Sequence, residues 1–92
     1  MTATISSDIL ASYASDAARD VDGVRGLARH KGVRIEEGNG QVRVELHLAV
    51  DWGASIPDVG VEVQRRVAAY LTRMASIDRV AVDVVIDQIV KQ

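Results

Sequence analysis

Gln41-Val42-Arg43-Val44-Glu45-Leu46-His47-Leu48-Ala49-Val50 alternates polar and apolar residues, broken only by the small Ala49. Successive side chains of a strand point to opposite faces. The run therefore predicts a strand with Val42, Val44, Leu46, Leu48 and Val50 on a buried face. Arg43, Glu45 and His47 fall on a solvated one. Just upstream, Val33 and Ile35 alternate with Arg34 and Glu36, and Glu37-Gly38-Asn39-Gly40 separates the two runs. Asn-Gly readily takes the positive φ angles of a tight turn, so the pair reads as a β-hairpin.

Helical periodicity flanks this hairpin. From Ser6 to about Asp20, Ile5, Ile9, Tyr13, Ala17 and Val21 recur at i, i+4, with Leu10, Ala14 and Ala18 widening the stripe. Ser6 or Ser7 suits the N-cap, and Asp8 complements the helix dipole. Gly23 and Gly26 end the helix. Arg25 to His30 is either an irregular link or a short extra strand. After the hairpin, Ser55 and Pro57 open a second helix with Ile56, Val59, Val63, Val67, Tyr70, Leu71 and Met74 on its apolar stripe. Glu62 is placed to pair with Arg66 at i+4. Trp52 continues the inward phase of the central strand and is expected to plug the end of the core. A last strand runs from about Arg79 to Ile89, with Val80, Val82, Val84 and Ile86 on one face.

The expected architecture is an α+β two-layer sandwich in α-β-β-α-β order. A three-stranded sheet carries both helices on one face, and residues 5–90 form a single domain. The last strand lies either antiparallel beside the first hairpin strand or parallel beside the second, through a right-handed crossover.

Composition narrows the chemistry. The chain has 92 residues, no cysteine and a net charge of −2. Absence of cysteine excludes disulfides, thiolate-bound metals and a thiol nucleophile. No signal-like start or apolar run of membrane-spanning length occurs, so a cytoplasmic protein without direct membrane insertion is expected. His30 and His47 have no metal-ligand spacing, and no nucleophile elbow or phosphate loop is present, so neither catalysis nor a cofactor is implied. His47 lies on the polar strand face beside Glu45 and level with Arg43.

The net charge conceals blocks. Arg25, Arg29, His30, Lys31 and Arg34 occur with no acid among them, around Gly23-Val24-Arg25-Gly26. A Gly-x-x-Gly with a basic middle is similar to the backbone-clamping loop of KH domains, which supplies an alternative reading as a small RNA- or phosphate-binding domain. No aromatic residue lies nearby to stack a base, which disfavours nucleic acid. On the last strand Val85 points outward with Ala81, beside Ala49, and offers a modest patch for self-association. Arg25, Arg29, Lys31, Arg34, His47 and Val85 are the candidate interaction residues.

Three stretches together carry a resemblance. They are Val21-Asp22-Gly23-Val24-Arg25-Gly26-Leu27-Ala28 with Lys31-Gly32-Val33, then Trp52-Gly53-Ala54-Ser55-Ile56-Pro57-Asp58-Val59 leading to Val63-Gln64-Arg65-Arg66-Val67, and finally Ile77-Asp78-Arg79-Val80-Ala81-Val82-Asp83-Val84. Their order and spacing resemble the alkaline shock protein twenty-three / Gls-twenty-four family over about Ile5 to Ile89. The resemblance implies a bacterial, cytoplasmic, non-enzymatic protein of the envelope or alkaline stress response. It implies protein partners, among them a membrane-anchored family member, and homo-oligomers. It supplies no catalytic residues. Gly23, Gly32, Gly53 and Pro57 match as architectural positions, and Trp52 stands where a Tyr is common in the family.

Overall fold

The structure is a computed structural model that describes residues 5–28 and 32–91. In chain order its elements are α1 (Ser7–Arg19), β1 (Val24–Leu27), β2 (Val33–Gly38), β3 (Gln41–Asp51), α2 (Ile56–Ala75) and β4 (Arg79–Val90). The sheet has four strands rather than the expected three, and the order is α-β-β-β-α-β. The additional strand resolves the open reading of Arg25 to His30 as far as Leu27. It escapes pattern reading because it is four residues long, contains Gly26, and carries a register shift between Val24 and Gly26 that breaks alternation.

β3 is the spine. β2 pairs with it antiparallel from Val33 opposite Leu46 to Gly38 opposite Gln41. The two loop residues, Asn39 at φ 53° and Gly40 at φ 74°, give the hairpin predicted from Asn-Gly. β1 pairs antiparallel with the other end of the same edge, Leu27 opposite Leu48 and Val24 opposite Val50. Between β1 and β2 the His47 backbone serves both sides: its N–H donates to Gly32 O and its carbonyl accepts from Ala28 N–H, both at 2.8 Å. β4 takes the opposite edge, parallel, from Arg79 beside Gln41 to Val90 beside Asp51. Of the two placements open from sequence, the crossover is the one observed, and α2 is the connection that a parallel pair requires.

Both helices cover one face of the sheet, α1 over β1 and β2, and α2 against α1 and β4. Val44, Leu46, Leu48 and Val50 are completely buried there against Leu10, Ala14, Ala18, Val63, Val67 and Leu71. Each large side chain so buried contributes about 1.5–3 kcal/mol relative to exposure. The alanines of α1 let that helix approach closely. Its buried stripe runs through Leu10, Ala14, Ala17 and Ala18, whereas Ile9 is exposed. The axis of the apolar face is thus rotated by one position from the Ile9-centred stripe expected. Ser6 is the N-cap, accepting from Ile9 N–H at 3.3 Å. Ser55 precedes α2 without a side-chain capping bond, and Pro57 supplies the pre-set first turn.

Trp52 departs furthest from expectation. It is 65% exposed and plugs nothing. The chain turns immediately after β3 through Gly53 at φ 91°, and Trp52 N–H bonds Val90 O at 2.9 Å, which fixes the residue outside the core.

Gly23 has φ +95°, and a Cβ there would lie 2.9 Å from Val59 Cγ2. Gly23→Ala is expected to destabilise the fold by about 2 kcal/mol through left-handed strain and this clash. Urea denaturation followed by circular dichroism checks it.

Candidate functional site

With both helices on one side, the other face of the sheet meets solvent. It carries the outward residues of β3 and their neighbours in register: Arg34 opposite Glu45 and Glu36 opposite Arg43 on one edge, with Asp83 beside Glu45 and Val85 beside His47 on the other. Opposite charges within this array pair locally. Arg43 reaches Asp83 at 3.5 Å, Arg34 reaches Glu36 at 2.8 Å, and Arg25 reaches Asp51 at 2.8 Å. All are exposed pairs, each of small energetic value.

His47 is the best-organised group of the face. Its Nδ1 lies 3.0 and 3.1 Å from the two carboxylate oxygens of Asp87, and its Nε2 lies 3.0 Å from Glu45 Oε2. Asp87 reaches this position because the β3–β4 register shifts there: Leu48 sits beside Ile86 and Ala49 beside Gln88, leaving Asp87 as the extra residue. Such a bulge re-aims a side chain. A neutral imidazole has one N–H, whereas two carboxylates facing both ring nitrogens call for two donors. Hydrogen bonds to Glu45 first and Asp87 second therefore raise the His47 pKa above its ordinary value of 6.5. The carboxylates lie at different nitrogens and do not converge on a point. Among the described residues no group of three or more His, Asp and Glu side chains is arranged to hold a metal ion.

The candidate residues distribute as follows. Arg25, Arg34, His47 and Val85 share the open sheet face, and Val85 is exposed. Arg29 and Lys31, like His30, lie outside the described residues. Arg25 and Arg34 do not form one patch. Arg34 lies opposite Glu45 whereas Arg25 bonds Asp51, about 20 Å further along β3. Each is already matched by a carboxylate.

Two features escape the sequence reading. Between the helices, a hollow of about 390 Å³ has Asp16 and Asp20 on the α1 side and Arg65, Arg66, Tyr70 and Arg73 on the α2 side. Arg65 and Arg66 both bond Glu62 at 2.8–2.9 Å and hold its carboxyl down to about 2. The Arg73 guanidinium lies over the Tyr70 ring, 5.5 Å from its centroid. The i, i+4 spacing of Asp16 and Asp20 was the available signal. On the sheet face, Gly26, Ala49 and Gln88 form a row of pairing partners across β1, β3 and β4 that floors a second hollow of about 510 Å³.

The family model for alkaline shock protein twenty-three, described as having a cell envelope-related function, matches residues 1–91. Among solved structures the chain is similar to C-terminal domains of MamM. A nickel form is 21% identical with a TM-score of 0.59, the match covering 88% of this chain and 96% of that one. A cadmium form is 22% identical with a TM-score of 0.59, covering 88% and 94%. At these identities the likeness is one of fold. No curated protein matches. Among the described residues no helix is long and apolar enough to cross a membrane.

The His47 clamp has a defined pH signature. Because its folded pKa is raised, the stabilisation is full below the unfolded value of 6.5 and disappears as pH rises through the folded value. A two-dimensional NMR titration is expected to place His47 above an ordinary histidine. Asp87→Asn is expected to bring it back toward 6.5, and an unchanged value would refute the clamp.

Proposed function

The chain belongs to the alkaline shock protein twenty-three family, and we propose that it acts as a non-enzymatic interaction module of the bacterial envelope stress response. One observation carries this reading beyond the family match. Both helices occupy the same side of the sheet, so the face bearing Arg25, Arg34, His47 and Val85 is left to solvent. Its charges are held in fixed pairs rather than aimed at a reacting centre. Such a surface offers shape and ordered charge to a protein partner and lacks the nucleophile–base geometry of catalysis.

On this reading residues 5–90 act as one domain in the cytoplasm, reaching the envelope through a membrane-anchored partner rather than by inserting into lipid. Arg25, Arg34, His47 and Val85 supply the contact face, with Arg29 and Lys31 adjoining it in sequence. The RNA- or phosphate-binding alternative receives no support from the positions of Arg25 and Arg34, which are far apart and individually neutralised.

A photo-crosslinking residue placed at Val85 in growing cells is expected to trap a protein partner that fractionates with the membrane. The same residue at Thr72, exposed on α2, is expected to trap none. Equal trapping from both positions, or none from Val85, would sink the assignment.

A further inference from the structure

Strand β4 forms one edge of the sheet: among the described residues it pairs with β3 alone. His47 turns both its N–H and its carbonyl toward β1 and β2, so the alternate residues Val42, Val44, Leu46 and Leu48 turn theirs toward β4. In a parallel pair, the register partner of a residue that faces the neighbouring strand faces away from it. Val80, Val82, Val84 and Ile86 therefore present their N–H and C=O groups to the free side. The Val82 carbonyl accordingly accepts from Gln64 Nε2 of α2 at 3.0 Å.

The usual protections of such an edge are thin. From Arg79 to Ile86 the strand has no proline, glycine or lysine, and its register runs unbroken until the bulge beyond Ile86. The Gln64 amide occupies a single acceptor. Peptide groups left open at every second residue are matched by one kind of ligand, another extended backbone. Side chains then choose among strands. On the helix side Val61, 63% exposed, lies one turn from Gln64 on the same stripe of α2 and overhangs the ground beside β4. An added strand puts alternate side chains beneath it, and burial there favours apolar ones. On the solvent side Asp83 and Asp87 are exposed. Arg43 and His47 reach them from β3, and a carboxylate has about four acceptor sites, which leaves room for a cation arriving from the free side. From Val80 to Val90 the strand itself holds acids and no base, so a copy of this stretch is not the complement.

We propose that the free edge of β4 takes up an extended segment of a different protein as an additional strand, with apolar side chains under Val61 and lysine or arginine beside Asp83 and Asp87. This rests on the interaction-module reading and states how the partner is gripped: main-chain bonds hold it, and the alternation selects it.

The probe is a capped peptide that alternates valine with lysine, added to the full isotope-labelled chain and followed by NMR. In the free chain the amide protons of Val80, Val82, Val84 and Ile86 are expected to exchange faster than those of Ala81, Asp83 and Val85. Saturating peptide is expected to slow the first set about tenfold, in proportion to the hydrogen bonds gained. A valine–glutamate peptide, and one with its valines and lysines in separate blocks, are expected to leave it unchanged. Val84→Pro removes one outward N–H at a position where an edge strand tolerates proline, and is expected to weaken binding about tenfold. Gln64→Ala, a change on the helix surface, frees the Val82 carbonyl and is expected to tighten binding severalfold; it decides the matter if Val84→Pro fails to fold. No binding, protection of other amides instead, equal affinity for either control peptide, or indifference to Gln64→Ala overturns the proposal. So does slowing of the same amides by raised protein concentration alone, which assigns the edge to a second copy. Trapping of a membrane-fraction partner at Val85 without peptide binding refutes the edge and spares the module. Peptide binding without trapping upholds the edge and sinks the module.

Discussion

Five apolar side chains at alternate positions of β3 impose the main constraint. Val42, Val44, Leu46, Leu48 and Val50 all point one way, and every other element must help remove them from water. One strand of this length needs more partner than a hairpin supplies. β2 and β1 therefore share one edge end to end, and β4 covers the other from beginning to end. A parallel β4 needs a crossover, and the crossover helix has to land on the apolar side, where α1 already lies. The bare outer face follows from this division. It is the side that the core had no use for, and so the side free to carry charge and contact.

Along that bare face the residues separate into two zones. The half nearer the hairpin is polar and internally paired, through Arg34 with Glu36, Arg43 with Asp83, and His47 between Glu45 and Asp87. The bulge at Asp87 joins the zones: it delivers a carboxylate to His47 and then brings Gln88 level with Ala49. A displaced register in β4 thus adds a second carboxylate to the one from Glu45 that already raises the pKa of a histidine on β3.

Strand β3, the hairpin and the two helices were legible because long periodic patterns average over local accidents. Strand β1 was not, since four residues containing a glycine and a bulge hold no period. The alternation that identified β3 also misled at its end: carried one step too far, it put Trp52 in the core, while the turn at Gly53 carries it to the surface. In the same way the charge count along residues 25–34 grouped Arg25 with Arg34, although the extended run of β1 and β2 along one edge of β3 sets them about 20 Å apart, at Asp51 and at Glu45. An extended chain spreads a linear cluster of charge along a sheet edge instead of gathering it into a patch. His47 was picked out by its neighbours in sequence, Arg43 and Glu45, but its partner Asp87 comes from a strand whose placement the sequence left open. Contacts between elements depend on register, and register across a parallel pair has no local signature.

Gly23 and Gly26, three positions apart, show why a residue type is not a reason. Gly23 is required from within, by a left-handed φ and by the approach of Val59. Gly26 is required by neither: it lies outside the left-handed region, and a Cβ there would meet nothing within 4 Å among the described residues. A solvated sheet face is kept soluble either by charge or by having little to expose. The half around His47 uses charge, and the half around Ala49 uses absence of bulk.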